Sequence, residues 1–197
     1  MSIRADGREH RLHAVKRAAW SLFVAHGFEA TTVRQIAAEA GVSTGTVMSF
    51  GTKNTLLLEL FEDAIADRIG DAPPPTDDPV EAVWACFRPY FEFFGSEPEL
   101  GRSYASVLFS GTQHQPAALG EKAEQFNTYV AHVITQRYAA SVEDATRAAE
   151  AIFATYMHTL MRWATGLDEA DSAIAAFADQ LSWQLSRFEP KRAPRDR

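Results

Sequence analysis

The chain has 197 residues, a net charge of −7 and a single cysteine, so it is long enough for a substantial core but has no internal disulfide. No apolar run approaches the roughly 20 residues of a membrane span, and the first residues lack the apolar core of a signal peptide, so we expect a soluble cytoplasmic protein. Helical spacing dominates and strand-like alternation is absent, which predicts an all-α fold.

Charge is unevenly distributed along the chain. Residues 1–54 carry seven Lys and Arg against four Asp and Glu, a local charge of +3, which leaves −10 for the remainder. A basic segment can neutralise phosphates, while an acidic remainder discourages unspecific adhesion to DNA. The division predicts two parts with different partners, although +3 also fits ordinary surface scatter.

Glycine, proline and capping residues predict about nine helices. Gly27 is placed to close the first helix in the left-handed conformation. Thr32 and Gln35 have the spacing of a capping box, and Ser43 is a good N-cap for the third helix. Prolines at 71–79 cannot continue a helix and predict a stiff spacer. The predicted helices span about 8–26, 33–39, 44–49, 53–69, 80–94 with an interruption at Pro89, 98–109, 116–139, 142–165 and 169–188.

The second and third predicted helices flank one tight turn. Ile36, Ala37 and Val47 are apolar and spaced to join the two helices, while Ala40 and Gly41 permit a sharp turn. Polar residues concentrate around the helix ends, where hydroxyls, amides and cations can reach phosphate oxygens. These polar residues are Arg34, Ser43, Thr44, Thr46, Ser49 and Lys53.

An ordered series of residues accompanies this pattern: Gly27-Phe28, Thr31-Thr32, Ile36-Ala37, Ala40-Gly41-Val42-Ser43, Gly45-Thr46 and Lys53. The series resembles the helix-turn-helix of the tetracycline-repressor (TetR) family. The resemblance is specific over about residues 8–65; beyond them only helix number and layout look like the family. It implies a three-helix DNA-binding domain at 1–54, with its motif at about 31–50, and a helical effector-binding and dimerisation domain at 55–188. A flexible tail is expected at 189–197.

In the family the third helix enters the major groove, which implies that this helix approaches base edges or the sugar-phosphate backbone here. Arg34 and Lys53 are expected mainly to position the protein on phosphates. For Met48, packing in the core is an alternative to a DNA contact. The predicted DNA-binding residues are Thr32, Arg34, Ser43, Thr44, Gly45, Thr46, Met48, Ser49 and Lys53.

The sequence departs from the family pattern after Val47. The segment Met48–Lys53 is one residue shorter than the usual run, and Met48 stands where the family usually has Tyr or Phe. A tyrosine hydroxyl that donates to phosphate is therefore missing. We expect DNA contacts within this segment to differ from those of relatives.

The resemblance also implies a homodimer formed by the last two helices. Two recognition helices related by a twofold axis read a palindromic operator and double the contact energy. Apolar stripes on the last two helices suit either an interface or the core. The predicted interface residues are Ile152, Tyr156, Leu160, Trp163, Ile174, Phe177, Leu181, Leu185 and Phe188.

Eight of the 22 aromatic residues lie between 84 and 109. Such a patch can line a pocket for a small, largely apolar effector, and core packing is its alternative. By resemblance, the effector would shift helix four, separate the recognition helices and release the DNA. The predicted pocket residues are Trp84, Phe87, Tyr90, Phe91, Phe94, Tyr104, Phe109, Phe126, Tyr129, Met157, His158 and Arg162.

No catalytic, cofactor-binding or metal-binding pattern accompanies these features. The sequence lacks a glycine-rich phosphate loop, an HExxH motif, a nucleophile elbow and a cysteine with an obvious partner, so we do not expect an enzyme. Two alternatives to a repressor stay open. One is a helical protein-interaction module without DNA binding, and the other is a transcriptional activator.

Overall fold

The computed structural model describes residues 3–66, 76–110 and 117–191, and the regular secondary structure of this part of the chain is α-helical. The prediction of an all-α fold with nine helices is confirmed for these residues. The helices are α1 (Ile3–His26), α2 (Val33–Glu39), α3 (Thr44–Met48), α4 (Lys53–Ala66), α5 (Pro79–Ser96), α6 (Pro98–Phe109), α7 (Ala117–Arg137), α8 (Val142–Ala164) and α9 (Ala170–Leu185).

Local chemistry sets the helix ends where the sequence predicts them. Gly27 has a φ of +82° and follows the last residue of α1. The Oγ1 of Thr32 accepts a 3.3 Å hydrogen bond from the Gln35 amide, and the Thr32 amide donates a 2.8 Å bond to Oε1 of Gln35. This reciprocal pair is the capping box that begins α2. Pro89 does not break α5, which continues through it as one helix.

The chain divides into two compact units. Unit 1 comprises Met1–Asp67 and Ser96–Gln115, and unit 2 comprises Arg68–Gly95 and Pro116–Arg197. Unit 1 therefore contains α1–α4 and α6, while unit 2 contains nearly all of α5 together with α7–α9. The domain boundary expected after residue 54 falls inside unit 1.

The core of unit 1 is built around Phe61 of α4. The Phe61 ring stacks on Tyr104 of α6 with ring centres 4.5 Å apart, and Trp20 of α1 meets it edge-on at 6.1 Å. Phe61, Leu56 and Leu57 are fully buried. Aromatic contacts of this geometry add to the stabilisation from burial. Helix α4 therefore packs against both α1 and α6.

An ion-pair clamp joins α1 to α4 beside this core. The Nζ of Lys16 lies 2.7 Å from Asp63 Oδ2 and 3.2 Å from Glu59 Oε2. Burial by itself would lower the pKa of the Lys16 ammonium, but the two carboxylates outweigh it and raise that pKa above its ordinary value. The clamp therefore favours the charged lysine in the folded chain.

Unit 2 has a core of contacting aromatic rings. Phe87 and Phe177 are fully buried with ring centres 5.0 Å apart. Trp84 stacks on Phe91 at 5.3 Å, and Tyr156 meets both Phe87 and Phe91. These rings come from α5, α8 and α9, so α5 is packed against both C-terminal helices of its unit.

The stripes predicted as a dimer interface face this core. Seven of the nine predicted interface residues are buried inside the single chain and offer no surface to a second copy, which corrects the prediction for these seven. Ile174 and Phe188 are partly exposed. The buried members are Ile152, Tyr156, Leu160, Trp163, Phe177, Leu181 and Leu185.

A short segment after α9 is attached to the end of α7. The amide of Ala139 donates a 2.8 Å hydrogen bond to the Glu189 carbonyl, and the amide of Lys191 donates one of 2.8 Å to the Arg137 carbonyl. Nζ of Lys191 also donates to the Thr135 carbonyl at 2.7 Å. These contacts differ from the flexible tail expected from residue 189; its residues 192–197 lie outside the described part of the chain.

Candidate DNA-binding surface and effector cavity

Helices α2 and α3 form a compact helix-turn-helix. Ile36, Ala37 and Val47 are buried between them, as their spacing predicts. Gly41 has a φ of +66°, and the amide of Val42 donates a 3.0 Å hydrogen bond to the Ala37 carbonyl. A β-carbon at a positive φ is strained, so glycine suits this turn. The turn fixes the direction in which α3 leaves α2.

Hydroxyl groups hold α3 in place at both ends. Ser43 Oγ accepts a 3.0 Å hydrogen bond from the Thr46 amide, which makes Ser43 the N-cap, and it also pairs with Thr46 Oγ1 at 2.9 Å. Ser49 Oγ donates to the Thr46 carbonyl at 2.7 Å. Several of the hydroxyls predicted to meet DNA therefore also have a local structural role.

Most of the predicted DNA-binding residues lie on the surface of unit 1. Met48 is 51% exposed, so it does not pack in the core. Arg34 is exposed and makes no ion pair with any described residue. We call the exposed members the HTH surface; they are Thr32, Arg34, Ser43, Thr44, Gly45, Met48 and Ser49, with Thr46 partly exposed beside them.

The shortened segment after α3 forms a tight connection to α4. Gly51 has a φ of +145°, and a β-carbon built there would lie 2.9 Å from Cβ and Cγ2 of Thr55. The Thr55 amide donates a 3.1 Å hydrogen bond to Thr52 Oγ1, so Thr52 caps α4. Gly51 therefore lies against the first turn of α4.

Lys53 makes a contact inside unit 1 in addition to the phosphate contact that the sequence predicts for it. Its Nζ donates a 2.8 Å hydrogen bond to the Phe28 carbonyl and lies 4.1 Å from the centre of the Phe28 ring. The predicted role was mainly to position the protein on phosphates. The contact with Phe28 joins α4 to the loop after α1, and an ammonium group has further donors.

Arg8 is a basic residue near this segment that sequence reasoning did not single out. Its guanidinium lies 5.4 Å from the centre of the Phe50 ring. Phe50 follows α3 by two residues, so the cation–π contact places a positive charge beside the end of that helix. The only feature of the sequence that pointed to Arg8 is its place among the basic first 54 residues.

A small apolar cavity lies within unit 2. Its volume is about 30 Å³, and Phe91 and Phe94 are the two predicted pocket residues among its walls. The hydroxyl of Thr159 is bonded to the Thr155 carbonyl at 2.9 Å, so the cavity offers little polar character. The walls are Phe91, Phe94, Gly95, Thr159, Leu160, Trp163, Ala170, Ala173 and Ile174.

The other predicted pocket residues are distributed over the two units. Tyr104 and Phe109 belong to unit 1, where Tyr104 packs on Phe61 and Phe109 is exposed. Arg162 makes a bidentate ion pair with Asp168, with both N···O distances 2.7 Å. The guanidinium lowers the pKa of the Asp168 carboxyl. The remaining residues, Trp84, Phe87, Tyr90, Phe126, Tyr129, Met157 and His158, lie in unit 2, and His158 is exposed.

The described residues contain neither a metal-ion cluster nor a membrane-spanning helix. No group of three or more His, Cys, Asp and Glu is arranged to hold a metal ion within residues 3–66, 76–110 and 117–191. No helix in those ranges is long and apolar enough to cross a membrane.

Comparison with known proteins matches the helix-turn-helix region. Residues 17–60 match the family described as bacterial regulatory proteins, tetR family. The HTH-type transcriptional regulator HbdR of Aromatoleum sp. (strain CIB) is 38% identical over 85 residues. That match covers 39% of this chain and 37% of HbdR, so the chain spans well under half of this relative.

Solved structures share the fold over most of the chain. The regulator FadR of Bacillus subtilis, in complex with stearoyl-CoA, has a TM-score of 0.64 at 17% identity, over 89% of this chain and 98% of that one. A TetR-like regulator from Rhodococcus sp. RHA1 has a TM-score of 0.53 at 22% identity, over 88% and 94%. The helix-turn-helix region of the chain is therefore similar to that of bacterial regulatory proteins of the tetR family, and the fold over most of the chain is similar to those of solved transcriptional regulators.

Proposed function

We propose that this chain is a transcriptional repressor that binds a palindromic operator as a homodimer and releases it when a small, largely apolar effector binds. The helix-turn-helix carries the proposal. Its third helix is capped by Ser43 and anchored by buried Val47, and it exposes Thr44, Gly45 and Met48. A short helix of this kind fits the major groove of B-DNA, which is about 12 Å wide.

Positive charge around the helix-turn-helix supports contact with the phosphate backbone. Arg34 on α2 is exposed, and the guanidinium of Arg8 lies beside the end of α3. Each phosphate that a cation neutralises releases counterions, so the affinity falls with salt concentration. In this proposal these arginines position the protein, while α3 reads the sequence.

Exposed stripes on α8 and α9 replace the buried ones as the proposed dimer interface. Trp183 is 64% exposed on α9, and Met161 is exposed on α8. A large exposed aromatic side chain is a common anchor of protein interfaces. Small side chains on the same helical surfaces let a second copy approach closely. The proposed stripes are Ala151, Ala154, His158 and Met161 on α8, and Ala176, Gln180, Trp183 and Arg187 on α9.

The cavity of unit 2 supports an apolar effector but is too small to hold one as it stands. Ligand sites usually measure roughly 300–1,000 Å³, whereas this cavity measures about 30 Å³. Binding therefore has to displace side chains such as Phe91 or Phe94. Because FadR of Bacillus subtilis is seen with stearoyl-CoA, acyl-CoA thioesters are the first class to test.

DNA selection followed by footprinting tests the DNA-binding proposal. Purified full-length chain is offered random duplexes, and the selected site is footprinted and titrated with salt. We expect a palindrome, with Arg34→Ala weakening all sequences alike and reducing the salt slope by about 1. Arg137→Ala, in unit 2, is the matched control. Salt-independent or absent DNA affinity would favour the protein-interaction module, and a reporter gene separates repression from activation.

Dimerisation and effector release are tested separately. Trp183→Glu is expected to give a monomer in sedimentation, whereas Val142→Glu, which changes an exposed residue at the start of α8, keeps the dimer.

For release, the DNA complex is titrated with acyl-CoA thioesters of increasing chain length and with free CoA. Phe94→Ala should change the concentration needed for release, and exposed Phe109→Ala should not. A monomeric wild-type chain, or release by free CoA alone, would contradict these parts of the proposal.

A further inference from the structure

The recognition helix has unusual side-chain chemistry for a helix that reads bases. Residues 43–49 contain no Arg, Lys, Asn, Gln, Asp or Glu. Bidentate hydrogen bonds to guanine come from Arg or Lys, and those to adenine come from Asn or Gln. None of these contacts is available from α3, so sequence recognition by this helix has to use hydroxyl groups, backbone or apolar atoms.

The hydroxyl groups of α3 are already partly used. Ser43 Oγ is bonded to the amide of Thr46, and Ser49 Oγ donates its proton to the Thr46 carbonyl. A serine hydroxyl has one proton to donate, so Ser49 can only accept from a base while that bond lasts. Recognition by hydrogen-bond donation from these groups is therefore restricted.

Apolar atoms remain, and they lie on one side of the helix. Met48 is 51% exposed, and Thr44, one helical turn earlier, is also exposed. Residues four apart share a helix face, so the methyl groups of Thr44 and Met48 are neighbours. Gly45 adds no side chain, and a β-carbon there would have Ser43 Oγ 3.7 Å away as its nearest neighbour. This face is small, neutral and methyl-bearing.

A duplex presents one apolar group on base edges in the major groove, the C5-methyl group of thymine. Resting on the proposed DNA binding, we propose that Met48, assisted by Thr44, recognises thymine methyl groups, so that the part of each half-site beneath α3 consists of A·T pairs. Specificity there comes from an apolar contact, and the nearby cations Arg34 and Arg8 contribute affinity without reading these bases.

Replacing thymine by deoxyuridine tests the inference, because it removes the methyl group and leaves base pairing intact. The selected palindrome is synthesised with each thymine replaced in turn, and affinity is measured with wild type and with Met48→Ala. We expect one or two thymines per half-site at which the replacement weakens wild-type binding about three- to five-fold, near the value of one buried methyl group. Met48→Ala should bind the thymine and uracil duplexes equally.

Two further variants complete the design. Leu167→Ala removes an exposed apolar side chain of unit 2 outside the proposed interface and should keep the discrimination. Met48→Leu preserves an apolar side chain and should retain part of it, even if Met48→Ala proves unstable. Wild-type binding that is insensitive to uracil at every position, or G·C pairs selected beneath α3, would overturn the inference while leaving DNA binding intact. Failure to select any site would refute the DNA-binding proposal, and this inference with it.

Discussion

The ammonium of Lys53 donates a 2.8 Å hydrogen bond to the carbonyl of Phe28 and lies 4.1 Å from the centre of that residue's ring. One side chain thereby joins the start of α4 to the loop after α1. Helix α3 lies between these two points in the sequence. Its position depends on this link as well as on the buried side chain of Val47.

Replacing Lys53 by methionine should destabilise unit 1. The variant keeps an apolar stem but loses a charge-assisted hydrogen bond and a cation–π contact, together worth roughly 1–3 kcal/mol in a partly exposed setting. Denaturant unfolding followed by circular dichroism measures the change. Arg34→Met, at an exposed residue without an ion pair in the described chain, should stay within about 0.5 kcal/mol of wild type. Equal midpoints for the two variants would contradict the structural role of Lys53.

Replacing Gly51 by alanine should also destabilise unit 1. The φ of +145° is unfavourable for an L side chain, and the new β-carbon would lie 2.9 Å from Cβ and Cγ2 of Thr55. We expect a loss of roughly 1–3 kcal/mol. Gly45→Ala is the matched control, because its nearest neighbour is 3.7 Å away and alanine favours a helix by about 0.5–1 kcal/mol over glycine. A Gly51→Ala chain as stable as Gly45→Ala would show that the short connection is not constrained.

The clamp at Lys16 predicts a specific dependence of stability on alkaline pH. The folded pKa of Lys16 is raised, so its contribution is complete below its ordinary pKa near 10.5 and is lost as the pH rises through the folded value. Wild type should therefore lose more stability than Lys16→Met between about pH 10 and 12. Urea midpoints across this range measure the difference. Parallel curves for the two proteins would exclude a stabilising ion pair.

Cys86 should react very slowly in the folded chain. Burial raises the pKa of its thiol from 9.0 to about 12, which lowers the thiolate population at pH 8 about a thousand-fold. Its side chain is also buried within unit 2. The rate of reaction with a disulfide reagent, compared between native and urea-unfolded chain, tests this. Native reactivity close to that of the unfolded chain would mean that unit 2 opens readily.

The helix-turn-helix could be predicted closely because its determinants are local. Thr32 and Gln35 lie three residues apart and satisfy each other's backbone groups, so the predicted limits of α2 coincide with the observed ones. Gly41 and Ser43 act over similarly short distances. The contact of Lys53 with Phe28 spans 25 residues, and no local pattern shows which carbonyl a lysine will meet.

The C-terminal helices were harder to interpret for a related reason. An apolar stripe at helical spacing has the same appearance whether it faces the chain's own core or a second copy. Leu160 and Leu181 proved to be core residues, whereas Trp183 on the opposite side of α9 belongs to no predicted stripe. Aromatic density between 84 and 109 was equally ambiguous, because Tyr104 packs in unit 1 and Phe91 in unit 2.

The four tryptophans are distributed so that each unit has its own intrinsic fluorescence. Trp20 packs against Phe61 in unit 1, whereas Trp84, Trp163 and Trp183 belong to unit 2. A Trp20→Phe chain therefore emits from unit 2 alone. Of the tryptophans in unit 2, Trp163 is buried at the cavity wall and Trp183 is exposed to solvent. A water-soluble quencher reduces the fluorescence of Trp183 more than that of Trp163, so it separates changes inside the unit from changes at its surface.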